Sequence, residues 1–332
     1  MRTAPALLLG LATLPCLALA SLHDAIDTYI VQTRHGNIRG YSKLVLGKKL
    51  YIFSGIPYAK PPTGRRRFRK PQPVAPWEGV LDGTKLPNTC VQEKYDFFPG
   101  FSGEEMWNPN TPISEDCLYL NIWVPEEILL GSVLSPVLVW IYGGGYMTGT
   151  STLEVYDADI LAAESGLIVS SLQYRVGAFG FFYMGREEAP GNMGLYDQAM
   201  ALQWIKDNIR SFHGDGDMIT LFGESAGAGS VSTHLISPVS RHIPRRAVLQ
   251  SGAINAPWSN LKPEKSKQIS EQLVADCECG GRATFQETRV PQFLHQYYMI
   301  DPTKIQSRCL LAPSLSVGSS YELVLLYFKT CV

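Results

Sequence analysis

The chain has 332 residues, 45% of them hydrophobic and 18% charged, with a formal net charge of -1. That is enough apolar chain for one or two ordinary domains, and a near-neutral balance lacks the electrostatic footprint that nucleic-acid binding needs. The one basic cluster, Arg65-Arg66-Arg67 with Arg69 and Lys70, is hemmed in by prolines and reads as a solvated loop.

Residues 1–20 carry Arg2 and then an apolar run that ends on Ala18-Leu19-Ala20, a small-x-small pattern of the kind signal peptidase cleaves. The run is short for a bilayer span, so the expectation is a signal peptide with a mature chain starting near Ser21. Secretion makes disulfides available. Cys16 would leave with the leader, and Cys90, Cys117, Cys277, Cys279, Cys309 and Cys331 would stay. Cys90 and Cys117 could close a loop of moderate size, worth about 3 kcal/mol by chain entropy; the other four have no pairing that spacing supports.

Taken in order, residues 29–32 and 51–55 have the apolar character of strands flanking a glycine turn at Gly36 and Gly40. The proline-rich stretch 57–76 fits neither a central strand nor a helix and is expected as an ordered loop. Residues 118–124, 136–142 and 167–172 are short apolar runs suited to buried strands. From Leu195 the apolar residues Leu195, Ala199, Leu202, Ile205 and Ile209 recur at helical spacing, with Asp197, Gln198, Lys206 and Asp207 on the other faces, which predicts an amphipathic helix. A strand at 218–222, a helix at Ala226–Ile236 and a strand at 247–250 follow. Strands alternating with helices predict an α/β architecture, a mostly parallel central sheet with helices on both faces.

The strand at 218–222 runs into Gly223-Glu224-Ser225-Ala226-Gly227, the pattern G-x-S-x-G, and a helix follows it directly. Glycines at both ends remove the side chains that would clash where strand meets helix, leaving Ser225 exposed on a sharp turn with the Ala226 N–H beside it. The triplet 143–145 after the strand at 136–142 is either a tight turn or an oxyanion hole, in which backbone N–H groups approach a developing negative charge. Its spacing is not that of a dinucleotide site, and the serine turn downstream favours the oxyanion hole.

Several stretches together resemble the cholinesterase and carboxylesterase family of α/β-hydrolases: FSGIPYAKPP at 53–62, SEDCLYLNIW at 114–123, WIYGGG at 140–145, YRVGAFGF at 174–181, GNMGLYD at 191–197 and FGESAG at 222–227. The resemblance implies an α/β-hydrolase domain over 21–279, with its C-terminal part missing and a divergent tail at 280–332. It implies Ser225 as nucleophile and Gly144, Gly145 and Ala226 as oxyanion donors. Cys90 and Cys117 match the family's disulfide loop around Trp107, and Trp107 stands where cholinesterases hold choline, a cation that offers no hydrogen bond and suits an aromatic face. Glu224 matches the acidic neighbour of that site, Tyr156 an aromatic of the choline pocket, and Trp258 a wall of the acyl pocket. Glu93, Tyr95 and Asp96 fall in the stretch that forms the rim, and Met147 stands where many relatives have tyrosine.

The resemblance thus implies hydrolysis of a small-molecule ester, a choline ester above all, by a secreted or extracellular protein that needs no cofactor or metal and forms homo-oligomers in a full-length form. A serine esterase of this fold also needs an acid and then a histidine after the serine. His234 and His242 follow Ser225 too closely. His295, with Glu271, Asp276 and Glu287 before it, stands nearer the serine than the family's histidine, whose matching position would fall beyond Val332. The alternatives are a general carboxylesterase and a non-catalytic secreted binding protein on the same fold.

Overall fold

The computed structural model describes residues 27–276. The leader expected at 1–20, the cysteines from Cys277 onward, Glu287, His295 and the tail expected at 280–332 lie outside the described residues.

Nine strands form the main sheet: β1 (Thr28–Thr33), β2 (Gly36–Val45), β3 (Lys48–Pro57), β4 (Val80–Asp82), β5 (Tyr119–Pro125), β6 (Ser135–Ile141), β7 (Ile168–Leu172), β8 (Gly214–Glu224) and β9 (Arg246–Gln250). Their order across the sheet is β1-β2-β3-β5-β7-β6-β8-β9, with β4 beside β2. The helices that matter here are α1 (Asp159–Ser165), α2 (Gly177–Phe181), α3 (Met193–Asn208), α4 (Ala226–Ile236) and α5 (Pro263–Asp276). The α/β class is as expected, and the sheet is mixed. Strands β1, β2, β3, β5 and β7 pair antiparallel in succession, whereas β7, β6, β8 and β9 are parallel neighbours. Short connections join β1 to β2 and β2 to β3, the second a two-residue hairpin of Leu46 and Gly47, both at positive φ.

Alternation along β6 divides the core into two layers. Val137, Val139 and Ile141 are buried with Leu202, Ile205 and Ile209 around α3 and with Val231 of α4, while Leu138 packs toward Ala162, Ala163 and Val169 on the α1 side. Successive side chains of a strand point to opposite faces, so helices cover both. Each fully buried aliphatic side chain in these layers contributes about 1.5–3 kcal/mol.

Three expectations need correction. Gly36 and Gly40 are not a turn: they lie in β2, and Gly40 is glycine because a Cβ there would come within 2.5 Å of the Phe53 ring across the ladder. Strand β2 escaped notice because it is polar and glycine-containing, with much of one face in solvent. Asp197 and Gln198 do not occupy an outer face of α3; both are fully buried, held by partners that the spacing of apolar residues does not encode. The basic cluster is also tied inward. Arg67 forms a two-bond ion pair with Glu115, Arg69 reaches Glu188 at 3.3 Å, and Lys70 lies 4.2 Å over the Tyr196 ring.

Leu221 of β8 is fully buried in the layer beneath α3 and α4. Leu221→Ala is expected to lower unfolding free energy by about 2–5 kcal/mol, read as a reduced urea midpoint at unchanged slope.

Candidate active site

Strand β8 ends at Glu224 and α4 begins at Ala226, so Ser225 alone makes the turn. Its backbone sits at φ 55° and ψ −119°, outside the ordinary wells of a non-glycine residue, a strain on the order of 1–3 kcal/mol that the surroundings must sustain. They do so on both sides. The Ser225 N–H donates to the Gln250 carbonyl on β9 at 2.8 Å, and the Ser225 carbonyl accepts from Gly229 N–H at 3.0 Å.

The flanking glycines are required by contact. A Cβ on Gly227 would stand 2.0 Å from the Ile141 carbonyl oxygen, and one on Gly223 would stand 2.6 Å from the Gly227 carbonyl carbon. The start of α4 is thereby pressed against the end of β6. Ala226 is the first residue of that helix, and its N–H has no intrahelical acceptor, so it stays available at the positive end of the helix dipole.

The glycine loop leaves the end of β6 beside this turn. A Cβ on Gly143 would lie 3.1 Å from Ser225 Cβ and 2.6 Å from the Glu224 carbonyl. Gly144 and Gly145 follow at φ 109° and 62°, and the Gly144 carbonyl accepts the N–H groups of Met147 and Thr148 at 2.9 and 3.1 Å. That curl turns the Gly144 carbonyl into the loop, and Gly143 is the glycine shown against Ser225. Trp258 borders the same place: Gly252 separates its ring from the Ser225 carbonyl, a Cβ there falling 3.1 Å from the one and 2.3 Å from the other.

On the other flank stands a series of rings. Trp107 lies 6.4 Å from Tyr156, Tyr156 lies 5.2 Å from Trp140, and Trp140 lies 4.9 Å from Phe222 on β8, centroid to centroid. Trp107 is the exposed member, with 44% of its surface open. Burial, and after it the Glu224 carboxylate, push the Tyr156 hydroxyl up to about 12. Cys90 and Cys117 are joined by a disulfide, and the loop between them carries Trp107. Asn108 fixes that loop from inside, its side chain accepting from Tyr95 N–H at 2.6 Å and donating to the Tyr95 carbonyl at 2.8 Å. Tyr95 in turn shares a hydrogen bond with Thr148 at 2.9 Å, and Gln92 exchanges two bonds of 2.8 Å with Gly149, tying the loop to the glycine turn.

The structure therefore brings Ser225, Ala226, Glu224, Trp258 and the glycine loop together, with Trp107 and Tyr156 on one flank. Sequence reasoning missed Gln92, Asn108 and the buried pair formed by Arg175 with Asp197. In that pair the guanidinium donates to the carboxylate at 2.7 and 2.8 Å. These are polar residues whose partners lie far along the chain, and no periodicity marks them.

None of the described histidines has Ser225 as a hydrogen-bond partner. His35 stacks between Trp77 and Trp204, and the exposed His242 meets Gln203 at 3.2 Å. His234, on α4, is buried between Ser240 and Gln198 at 2.8 and 2.9 Å. Gln198 donates its amide to Ser230, so its carbonyl oxygen faces His234 and fixes Nε2 as the protonated nitrogen; Ser230 then donates to the Ala226 carbonyl at 2.9 Å.

Burial holds the His234 pKa down to about 4 from its ordinary 6.5. The unfolded chain takes up this proton first, so the stability due to neutral His234 is complete above pH 6.5 and is lost as pH falls toward 4. A loss of roughly 3 kcal/mol across that window is expected in urea unfolding, and His234→Gln should flatten it.

A sequence profile of the carboxylesterase family matches residues 27–311. A protein named acetylcholinesterase from Leptinotarsa decemlineata is 58% identical over 268 residues, 76% of this chain and 43% of that protein. A protein named cholinesterase from Mus musculus is 50% identical over 265 residues, 80% of this chain and 43% of that protein. The chain thus spans well under half the length of these curated relatives.

Proposed function

Because this chain belongs to the carboxylesterase family of α/β-hydrolases, we propose that it carries the nucleophile, oxyanion and cation sites of a serine ester hydrolase of acetylcholinesterase type. The observation that carries this reading is the strained Ser225 turn with the glycine loop packed against it. Ser225 Oγ attacks the acyl carbon of the ester and its proton passes to a base. The N–H groups of Gly144, Gly145 and Ala226 hold the oxyanion of the tetrahedral intermediate. Collapse expels the alcohol and leaves an acyl-serine, which water then hydrolyses.

Trp107, Tyr156 and Glu224 support a choline ester as the preferred substrate. A quaternary ammonium is attracted to an aromatic face, and the neighbouring carboxylate adds charge of the right sign. Trp258 borders the acyl side. The likeness to the curated relatives supports both assignments, and the Cys90–Cys117 disulfide suits the extracellular destination that a leader at 1–20 would give. The domain is read as 21–279, with 280–332 as a divergent tail. Turnover needs a histidine and an acid besides these residues, and His35, His234 and His242 have other partners. The second reading is a cholinesterase-like binding protein that keeps the cation site without turnover.

A fluorophosphonate probe separates the two. The first reading expects covalent labelling of the folded chain at Ser225, mapped by peptide mass spectrometry and abolished by Ser225→Ala; a folded protein that stays unlabelled selects the second. Trp107→Ala is expected to weaken binding of tetramethylammonium by about 2- to 30-fold, the equivalent of one cation–π contact. Unchanged affinity on that variant removes the choline assignment and leaves a general carboxylesterase.

A further inference from the structure

Tyr142 and Tyr174 form a reciprocal lock at the base of the glycine loop. Tyr142 is the residue before Gly143, and Tyr174 follows β7. Tyr174 Oη donates to the Tyr142 carbonyl at 2.8 Å, and Tyr142 Oη donates to the Tyr174 carbonyl at 3.0 Å. The Tyr174 N–H donates to Tyr142 Oη at 3.3 Å, and the two rings stack at 4.4 Å. Both side chains are fully buried.

Phenylalanine would fill these spaces as well and would bury no hydroxyl, so packing alone does not account for the two phenols. What the hydroxyls add is direction, because each fixes the other residue's carbonyl and hence the peptide that leads onward. Beyond Tyr142 that peptide leads into Gly143, Gly144 and Gly145. The far end of the loop is held by the same neighbouring segment: Gly177 N–H donates to the Tyr146 carbonyl at 2.7 Å. Arg175 lies between these two contacts and is locked by Asp197 of α3 through its side chain and, at 3.1 Å, its own N–H. Segment 174–177 therefore clamps the loop at both ends and is itself anchored to α3. Gly149 completes the curl, since a Cβ there would meet the Tyr142 ring at 2.5 Å.

We propose that Tyr142 and Tyr174 are positioning residues that hold the N–H groups of Gly144 and Gly145 in register with Ser225. The proposal rests on the reading of that loop as the oxyanion site. Without the lock, three glycines in succession have the widest conformational freedom of any tripeptide, and donors that wander lose the preorganisation on which such sites depend.

The test uses Tyr142→Phe and Tyr174→Phe in the full chain, each of which keeps the ring stack and removes one hydroxyl. Amide hydrogen exchange of Met147 and Thr148, whose N–H groups the Gly144 carbonyl accepts, is expected to rise at least about tenfold in either variant, with residues 137–141 of β6 unchanged. The fluorophosphonate rate at Ser225 is expected to fall about 10- to 100-fold, with tetramethylammonium affinity unchanged. Unaltered exchange at Met147 and Thr148, or a uniform rise across β6 as well, overturns the proposal. So does a parent-like phosphonylation rate in a variant whose loop has loosened. A parent protein that takes no label refutes the reading of Ser225 instead, and the exchange measurement then decides the lock by itself.

Discussion

The closest constraint in the site is the approach of Gly227 to the Ile141 carbonyl. With no Cβ at Gly227, α4 starts directly against the end of β6; with one, the contact would be 2.0 Å and the helix would have to withdraw. Everything that converges on Ser225 depends on this approach. It sets the serine on a turn too tight for relaxed backbone angles, brings the helix N-terminus beside it, and lets the glycine loop leave β6 within van der Waals reach of Ser225 Cβ. Parallel pairing of β6, β8 and β9 gathers the C-terminal ends of three strands at one edge, where such crevices form in open α/β sheets.

Around that contact the interior is more polar than a simple core. Arg175 with Asp197, Gln198 with His234 and Ser230, and the tyrosine pair each satisfy buried groups with partners that come from different elements. Such networks contribute modest net stability, but they select one arrangement because any alternative leaves a buried group unpaired. Two of them end on the proposed site: the His234 chain on the Ala226 carbonyl, and the tyrosine lock on the residue before the glycines. Rigidity in this place has a chemical use, since donors already aimed need no reorganisation when charge develops.

The proposed cation side is built differently. Its rings come from a surface loop, from the stretch after the glycine turn and from the sheet, and its outermost member is nearly half exposed. The disulfide and the Asn108, Tyr95 and Gln92 bonds hold the loop to the glycine turn, so the aromatic flank and the serine flank share one support.

Elements whose signal is local are legible along the chain. The G-x-S-x-G run between an apolar strand and a helix located Ser225, helix Ala226–Ile236 was read with its observed ends, and the apolar runs at 136–142 and 167–172 became β6 and β7 within a residue. The family motifs added Trp107, Tyr156 and Trp258, which no spacing rule singles out. Features that depend on partners distant in the chain emerge when the layers pack. Polar β2 became a strand because the hairpin to β3 brings it a neighbour, Asp197 and Gln198 turned inward because Arg175 and His234 meet them, and Tyr142 found Tyr174. Period and composition report which side of an element avoids water; they do not report which buried polar group will find its complement, and that is settled when the layers close.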